Sequence, residues 1–127
     1  MHIYIVGNPL VKDDHLPLQL LPTLKKAFPR TSVTTIDPNE NFTPEEGSVI
    51  VDTVYGTDKV QVFTDLDAFV TTKSVSPHDY DLGFHLQLLM KLKKISGVRI
   101  IGVPPKGSRK NIEQSVVDLL KRCMKEG

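Results

Sequence analysis

The sequence predicts an α/β fold: a three-layer sandwich in which a mostly parallel, twisted sheet of about five strands is flanked by helices on both faces. Short β-branched apolar runs alternate with longer segments of helical periodicity. The runs are continuously apolar, which is typical of strands buried on both faces. With 127 residues, 39% of them apolar and 24% charged, the chain fits a single domain, 1–127.

Five apolar runs are the predicted strands. Helical segments separate several of them, so most should pair in parallel. The fourth run follows the short turn at residues 55–58 and is expected at an antiparallel edge. In chain order the predicted strands are His2–Val6, Ser32–Ile36, Ser48–Asp52, Val60–Phe63 and Val98–Val103.

The first predicted helix has apolar residues at four-residue spacing from Leu16 to Phe28. Proline lacks the N–H that a helix interior needs. Pro17 must therefore lie in the first turn, and Pro22 should kink or break the helix.

Two further helices are predicted later in the chain. The second follows the leucine-rich stretch 82–95 and should close at Gly97, a common C-terminal cap. The third should begin near Asn111, with Gln114 completing a variant capping box. Cys123 falls on the apolar side of this last helix, which predicts a buried packing residue.

Charge and cysteine content exclude several classes of protein. The 16 Lys and Arg residues against 15 Asp and Glu leave a net charge of +1, which argues against a broad nucleic-acid surface. One cysteine cannot form an internal disulfide, which favours an intracellular setting. We find neither a signal-peptide pattern nor an apolar run of about 18 residues. These features predict a cytoplasmic, monomeric protein that binds neither nucleic acid nor membrane.

Four titratable side chains are expected at one edge of the sheet. Open α/β sheets bind ligands beyond the carboxyl ends of their strands. Asp14 follows the first strand, Asp37 ends the second, Asp52 ends the third, and His78 precedes the second helix. Carboxylates and an imidazole together suit Ni²⁺, Zn²⁺ or Mn²⁺.

Each of these residues also has a structural interpretation. Asp13 or Asp14 could cap the first helix, and Asp37 before proline is a common turn acid. His78 could cap the second helix. Asp52 is harder to explain in this way, because a buried carboxylate is costly unless it is paired or coordinated.

Motifs in order along the chain resemble the hydrogenase maturation endopeptidases, which trim the C-terminal tail of the nickel–iron hydrogenase large subunit. The matching pieces are VGNPL at residues 6–10, the acids at 13–14, VIVDTV at 49–54, SPH at 76–78 and IIGVPP at 100–105. The resemblance implies an α/β sandwich whose substrate is the hydrogenase large-subunit precursor.

The resemblance also implies a set of functional residues. Asp14, Asp52 and His78 fall at the positions of the metal ligands, and Asp37 at that of a further important aspartate. The implied catalytic residues are therefore Asp14 and Asp37. The implied metal is nickel supplied by the substrate, with zinc or cadmium as alternative occupants of the site.

The chain departs from the family at two of these points, and two other functions stay open. His15-Leu16-Pro17-Leu18 stands where glycines usually follow the acid pair, and Pro38 replaces the glycine after the second-strand aspartate. A non-catalytic metal- or partner-binding module on the same fold is the alternative function. A third hypothesis is an anion or nucleotide site formed by Gly7-Asn8 and residues 106–110.

Overall fold

A single five-stranded sheet organises the computed structural model, which describes residues 2–7, 18–37, 42–54, 58–72 and 82–126. The strand order is β2-β1-β3-β5-β4, and every neighbouring pair is parallel except β4 with β5. The predicted α/β fold and its antiparallel edge are confirmed. The strands are β1 (His2–Val6), β2 (Ser32–Ile36), β3 (Val49–Thr53), β4 (Gln61–Phe63) and β5 (Ile100–Val103).

Helices cover both faces of this sheet, which gives the predicted three layers. The four helices of the described chain are α1 (Leu21–Ala27), α2 (Leu66–Thr72), α3 (Leu82–Lys91) and α4 (Arg109–Glu126). Leu24 of α1 and Val116 of α4 share one core cluster with alternate residues of the sheet. Phe69 of α2 and Leu86 of α3 share the other. We call the two sides the α1/α4 face and the α2/α3 face. No helix in the described part of the chain is long and apolar enough to span a membrane.

The first and last helices differ from the predictions at their starts. Pro22 does break the first helix: residues 18–19 are helical, a turn follows at Leu20, and α1 then begins with the proline in its first turn. The last helix begins two residues earlier than expected. Its cap is Ser108, whose Oγ accepts the Asn111 N–H at 3.5 Å, so the predicted Asn111–Gln114 capping box is wrong.

The leucine-rich helix α3 is shorter than the sequence predicts. It ends at Lys91 rather than at Gly97, and Lys93 adopts a φ of 60°, which helices cannot continue through. Leu88 and Leu92 are 53% and 57% exposed, although the sequence placed them on the apolar face.

The helix α2 was not predicted, although its start carries a recognisable signal. The side chain of Asp65 accepts the Asp67 N–H at 2.9 Å, and its carbonyl accepts the Phe69 N–H at 3.1 Å. An aspartate in this position is a common N-cap.

Arg99 joins α4 to the turn that precedes β3. Its Nη1 donates to the Cys123 carbonyl at 2.8 Å, and its Nη2 donates to the Gly47 carbonyl at 2.9 Å.

A lysine cannot reproduce the two hydrogen bonds of the Arg99 guanidinium, so we expect Arg99→Lys to lower the free energy of unfolding by about 1 kcal/mol. Urea unfolding measures the change. Arg122→Lys, at an exposed position of α4, is the control and should change stability by less than about 0.5 kcal/mol. Equal effects of the two substitutions would contradict the assigned role of Arg99.

Candidate functional site

The strand order places the candidate site between β1 and β3. From β1 the chain continues to β2 on one side, whereas β3, β5 and β4 lie on the other. Such a reversal of strand order is the point at which open α/β sheets bind their ligands, outside the carboxyl ends of the strands.

The hydrogen bonds show that β1 and β3 separate at this point. Their ladder pairs Ile3–Ile5 with Val49–Val51 and goes no further. On the outer sides the pairing continues: the Gly7 N–H donates to the Ile36 carbonyl at 3.1 Å, and the Val54 N–H donates to the Val103 carbonyl at 2.8 Å. The ladder between β1 and β3 therefore ends before the outer ladders do. We call the carboxyl edge between these two strands the β1/β3 crevice.

Asp52 lies on the β3 side of this crevice. The residue is only 4% exposed, and the Thr53 N–H donates to its Oδ1 at 2.9 Å. Because side chains alternate along a strand, Asp52 lies on the α2/α3 face with Ile50. A main-chain donor that would otherwise extend a strand ladder thus orients a buried carboxylate.

Asp37 is at the same edge but not beside Asp52. It directly follows Ile36, the last residue of β2, and is partly buried. The strand β1 lies between β2 and β3. Asp37 therefore follows, and Asp52 belongs to, strands whose axes are about 10 Å apart.

The other two predicted ligands, Asp14 and His78, lie outside the described residues, as do Asp13 and His15. Within the described part of the chain, no group of three or more His, Cys, Asp or Glu side chains could hold a metal ion. The three-residue set of Asp14, Asp52 and His78 therefore stays a prediction, with Asp52 the one member whose surroundings the structure describes.

Sequence reasoning missed Thr53, the residue after Asp52. It is 1% exposed, and its Oγ1 makes no hydrogen bond to any described residue. A buried hydroxyl without a partner costs about 1–3 kcal/mol, and such groups are rare in folded proteins. The available signal was the polar pair Asp52-Thr53 at the end of an otherwise apolar run.

Two further histidines have structural partners. The Nε2 of His85 donates to the Phe42 carbonyl at 2.6 Å. The side chain of His2 is only 18% exposed. Its ring stacks on Tyr4 at 4.1 Å and its Nε2 lies 2.7 Å from Thr34 Oγ1. Neither histidine lies at the β1/β3 crevice.

The hypothesised anion loop lines a cavity of about 240 Å³ beside the start of α4. Lys59 and Lys106 contribute to its lining, together with Asp58. The Ser108 hydroxyl already caps the helix. The described side chains therefore do not identify this cavity as an anion-binding site.

Comparisons with solved structures show which proteins share this fold. An endopeptidase from Escherichia coli, solved in solution, aligns with a TM-score of 0.74 and 15% identity over 99% of this chain and 93% of its own. A hydrogenase 3 maturation protease aligns with a TM-score of 0.56 and 15% identity, over 93% of this chain and 87% of its own. An uncharacterised protein from Wolinella succinogenes aligns at 0.51 and 16% identity, over 98% and 94% of the two chains.

Sequence comparisons add no assignment, because no family description and no curated protein matches the chain. At 15–16% identity the structural likeness establishes the fold and not the activity. The protein therefore has the fold found in an endopeptidase and in a hydrogenase maturation protease, with a buried aspartate at the topological switch point.

Proposed function

We propose that this protein is an endopeptidase that removes the C-terminal tail of a nickel–iron hydrogenase large-subunit precursor during maturation. The observation that carries the proposal is the buried carboxylate of Asp52 beside the β1/β3 crevice, on a fold shared with a maturation protease. Two independent arguments select Asp52: the VIVDTV motif, and the rule that open α/β sheets bind ligands beyond the carboxyl ends of their strands.

In this proposal nickel belongs to the substrate, because it is already inserted in the precursor. Asp14, Asp52 and His78 bind it and so position the peptide bond that is cut. A bound divalent cation supplies Lewis-acid polarisation of a carbonyl. Zinc or cadmium can occupy the same oxygen and nitrogen ligands in place of nickel.

The contribution of Asp52 follows from its surroundings. Its low exposure keeps water from competing for the carboxylate, which strengthens its attraction for a cation. The bond from the Thr53 N–H fixes the direction in which the carboxylate points. Asp37, two strands away from Asp52 along the same edge, is the candidate for a separate catalytic role.

Cleavage of the nickel-loaded precursor tests the proposal. The purified protein should shorten the large subunit by the mass of its tail, as read by mass spectrometry, and should leave nickel-free precursor uncut. Asp14→Asn should lower the cleavage rate at least about 100-fold, since it removes a charged ligand of the metal. Equal cleavage by Asp14→Asn and wild type would contradict the assignment of this ligand.

The alternative function is a non-catalytic metal- or partner-binding module. The replacement of the usual glycines by residues 15–18 and Pro38 favours it, because these residues directly follow Asp14 and Asp37 in the sequence. The same assay separates the two functions: a binding module would retain the precursor or nickel without shortening the subunit.

A further inference from the structure

The strand β2 forms one edge of the sheet, and its outer side pairs with no other described strand. The Ile36 carbonyl accepts the Gly7 N–H, so the main-chain groups of Ile36 point towards β1. Successive residues of a strand point their main-chain groups in opposite directions. The N–H and C=O groups of Val33 and Thr35 therefore point outwards, where they can form hydrogen bonds with an added strand.

This edge lacks the features that usually prevent strand addition. Exposed edges are commonly protected by lysines, prolines or bulges. The sequence of β2 is SVTTI, which contains none of these residues and no charge, and its register with β1 is unbroken. Ser32, Thr34 and Thr35 are all exposed. An extended peptide could therefore pair with this edge through main-chain hydrogen bonds, as in β-augmentation.

The edge leads directly to the candidate site. The strand runs from Ser32 to Ile36 over about 17 Å and is followed by Asp37 at the carboxyl edge of the sheet. When a peptide is bound for cleavage near Asp52, the part that follows the cut bond must extend out of the crevice. If that part follows β2, it runs from Asp37 back towards Ser32 and is antiparallel to β2.

The two ends of the strand β2 differ in charge. Lys25 and Lys26 lie in the last turn of α1, and Arg30 lies two residues before β2; all three are exposed. The opposite end carries Asp37, and the strand between them is uncharged. A carboxylate on the far part of the tail, either a side chain or the chain terminus, would complement these basic groups.

We propose that the outer edge of β2 binds the C-terminal tail of the precursor as an added antiparallel strand, with Arg30 and Lys26 attracting a carboxylate near its end. This inference rests on the proposed function, because the tail is the substrate segment that function removes. Sequence-tolerant main-chain pairing provides affinity, while the site itself selects the bond that is cut.

Hydrogen–deuterium exchange tests the pairing directly. Nickel-free precursor is the probe, because the proposed function leaves it uncut, and precursor truncated at the processing site is its control. The amides of Val33 and Thr35 should exchange at least about tenfold more slowly with the full precursor. The truncated precursor should not slow them. Unchanged exchange with the full precursor, or equal slowing by both proteins, would overturn the proposal.

Two substitutions test the energetic contribution of the edge. Thr35→Pro removes an outward donor and leaves the ladder with β1 intact, a position where edge strands accept proline. One lost hydrogen bond should raise the KM for nickel-loaded precursor about three- to tenfold, with kcat within about twofold. Arg30→Glu should raise KM similarly, and more at low salt than at high salt. Lys91→Glu on α3 is the charge-reversal control and should leave KM unchanged.

These measurements separate the docking proposal from the proposed function. Cleavage by wild type without slowed exchange, or with an unchanged KM for Arg30→Glu, refutes the docking and leaves the function standing. Tail-dependent slowing without any cleavage supports the docking and refutes the endopeptidase. Absence of both refutes both. If Thr35→Pro fails to fold, the exchange data and Arg30→Glu still decide the question.

Discussion

Asp52→Asn is expected to lower kcat/KM for nickel-loaded precursor at least about 100-fold, equivalent to about 2.7 kcal/mol of lost transition-state stabilisation. Asparagine has almost the same shape and keeps the oxygen that accepts the Thr53 N–H at 2.9 Å. It lacks the negative charge that a divalent cation attracts. A neutral amide is also less costly to bury than a carboxylate, so the variant should still fold, with a melting temperature close to that of the wild type.

The measurement pairs cleavage kinetics with thermal unfolding of the same preparations. Asp118→Asn is the matched control, since Asp118 is exposed on α4 and its Oδ1 accepts a bond from the Gln114 side chain at 2.9 Å. It should cleave at the wild-type rate. A fully active Asp52→Asn protein would remove Asp52 from the site. Equal losses in both variants would show that the assay responds to charge in general.

Gly102→Ala is expected to lower the free energy of unfolding by about 1–3 kcal/mol, because other side chains already occupy the space that the added methyl group needs. Gly102 lies on β5 directly opposite Asp52 of β3. A Cβ at this position would lie 2.7 Å from Val54 Cγ2 and 2.8 Å from Phe63 Cε2, closer than real contacts permit. Both neighbours belong to the core of the α2/α3 face, so relief requires the core or the strand to move.

Urea unfolding would measure this effect as a lower midpoint at an unchanged m-value. Gly97→Ala is the control, because nothing lies within 4 Å of its Cβ position. That substitution should change stability by less than about 0.5 kcal/mol. A Gly102→Ala protein as stable as wild type would show that β5 and β4 adjust without cost.

The sheet was predictable because local composition decides which segments are strands. Continuous β-branched runs such as Val49–Val51 have no favourable alternative to burial on both faces. The break at Pro22 was predictable for a similar reason, since the missing N–H acts wherever the residue lies. The burial of Cys123 followed from helical spacing.

Helical spacing was less informative for α3. Leu86 is fully buried while Leu88 and Leu92 are more than half exposed, although all three fit one leucine-rich pattern. A hydrophobic period identifies the helix, but the width of the sheet beneath it determines how much of the apolar stripe is covered. The helix end was missed because Lys93 adopts a left-handed conformation that its residue type does not predict.

For the site, the sequence alone predicted that Asp37 and Asp52 lie at the carboxyl ends of two strands, and that a carboxylate after VIV is carried towards the interior, where it needs a partner. Only the tertiary structure decided which strands are neighbours. It places β1 between Asp37 and Asp52, separates β1 from β3 after Ile5, and turns the Thr53 N–H towards Asp52. The reason is physical: strand composition is local, whereas parallel pairing joins residues far apart in sequence and depends on the packing of both faces at once.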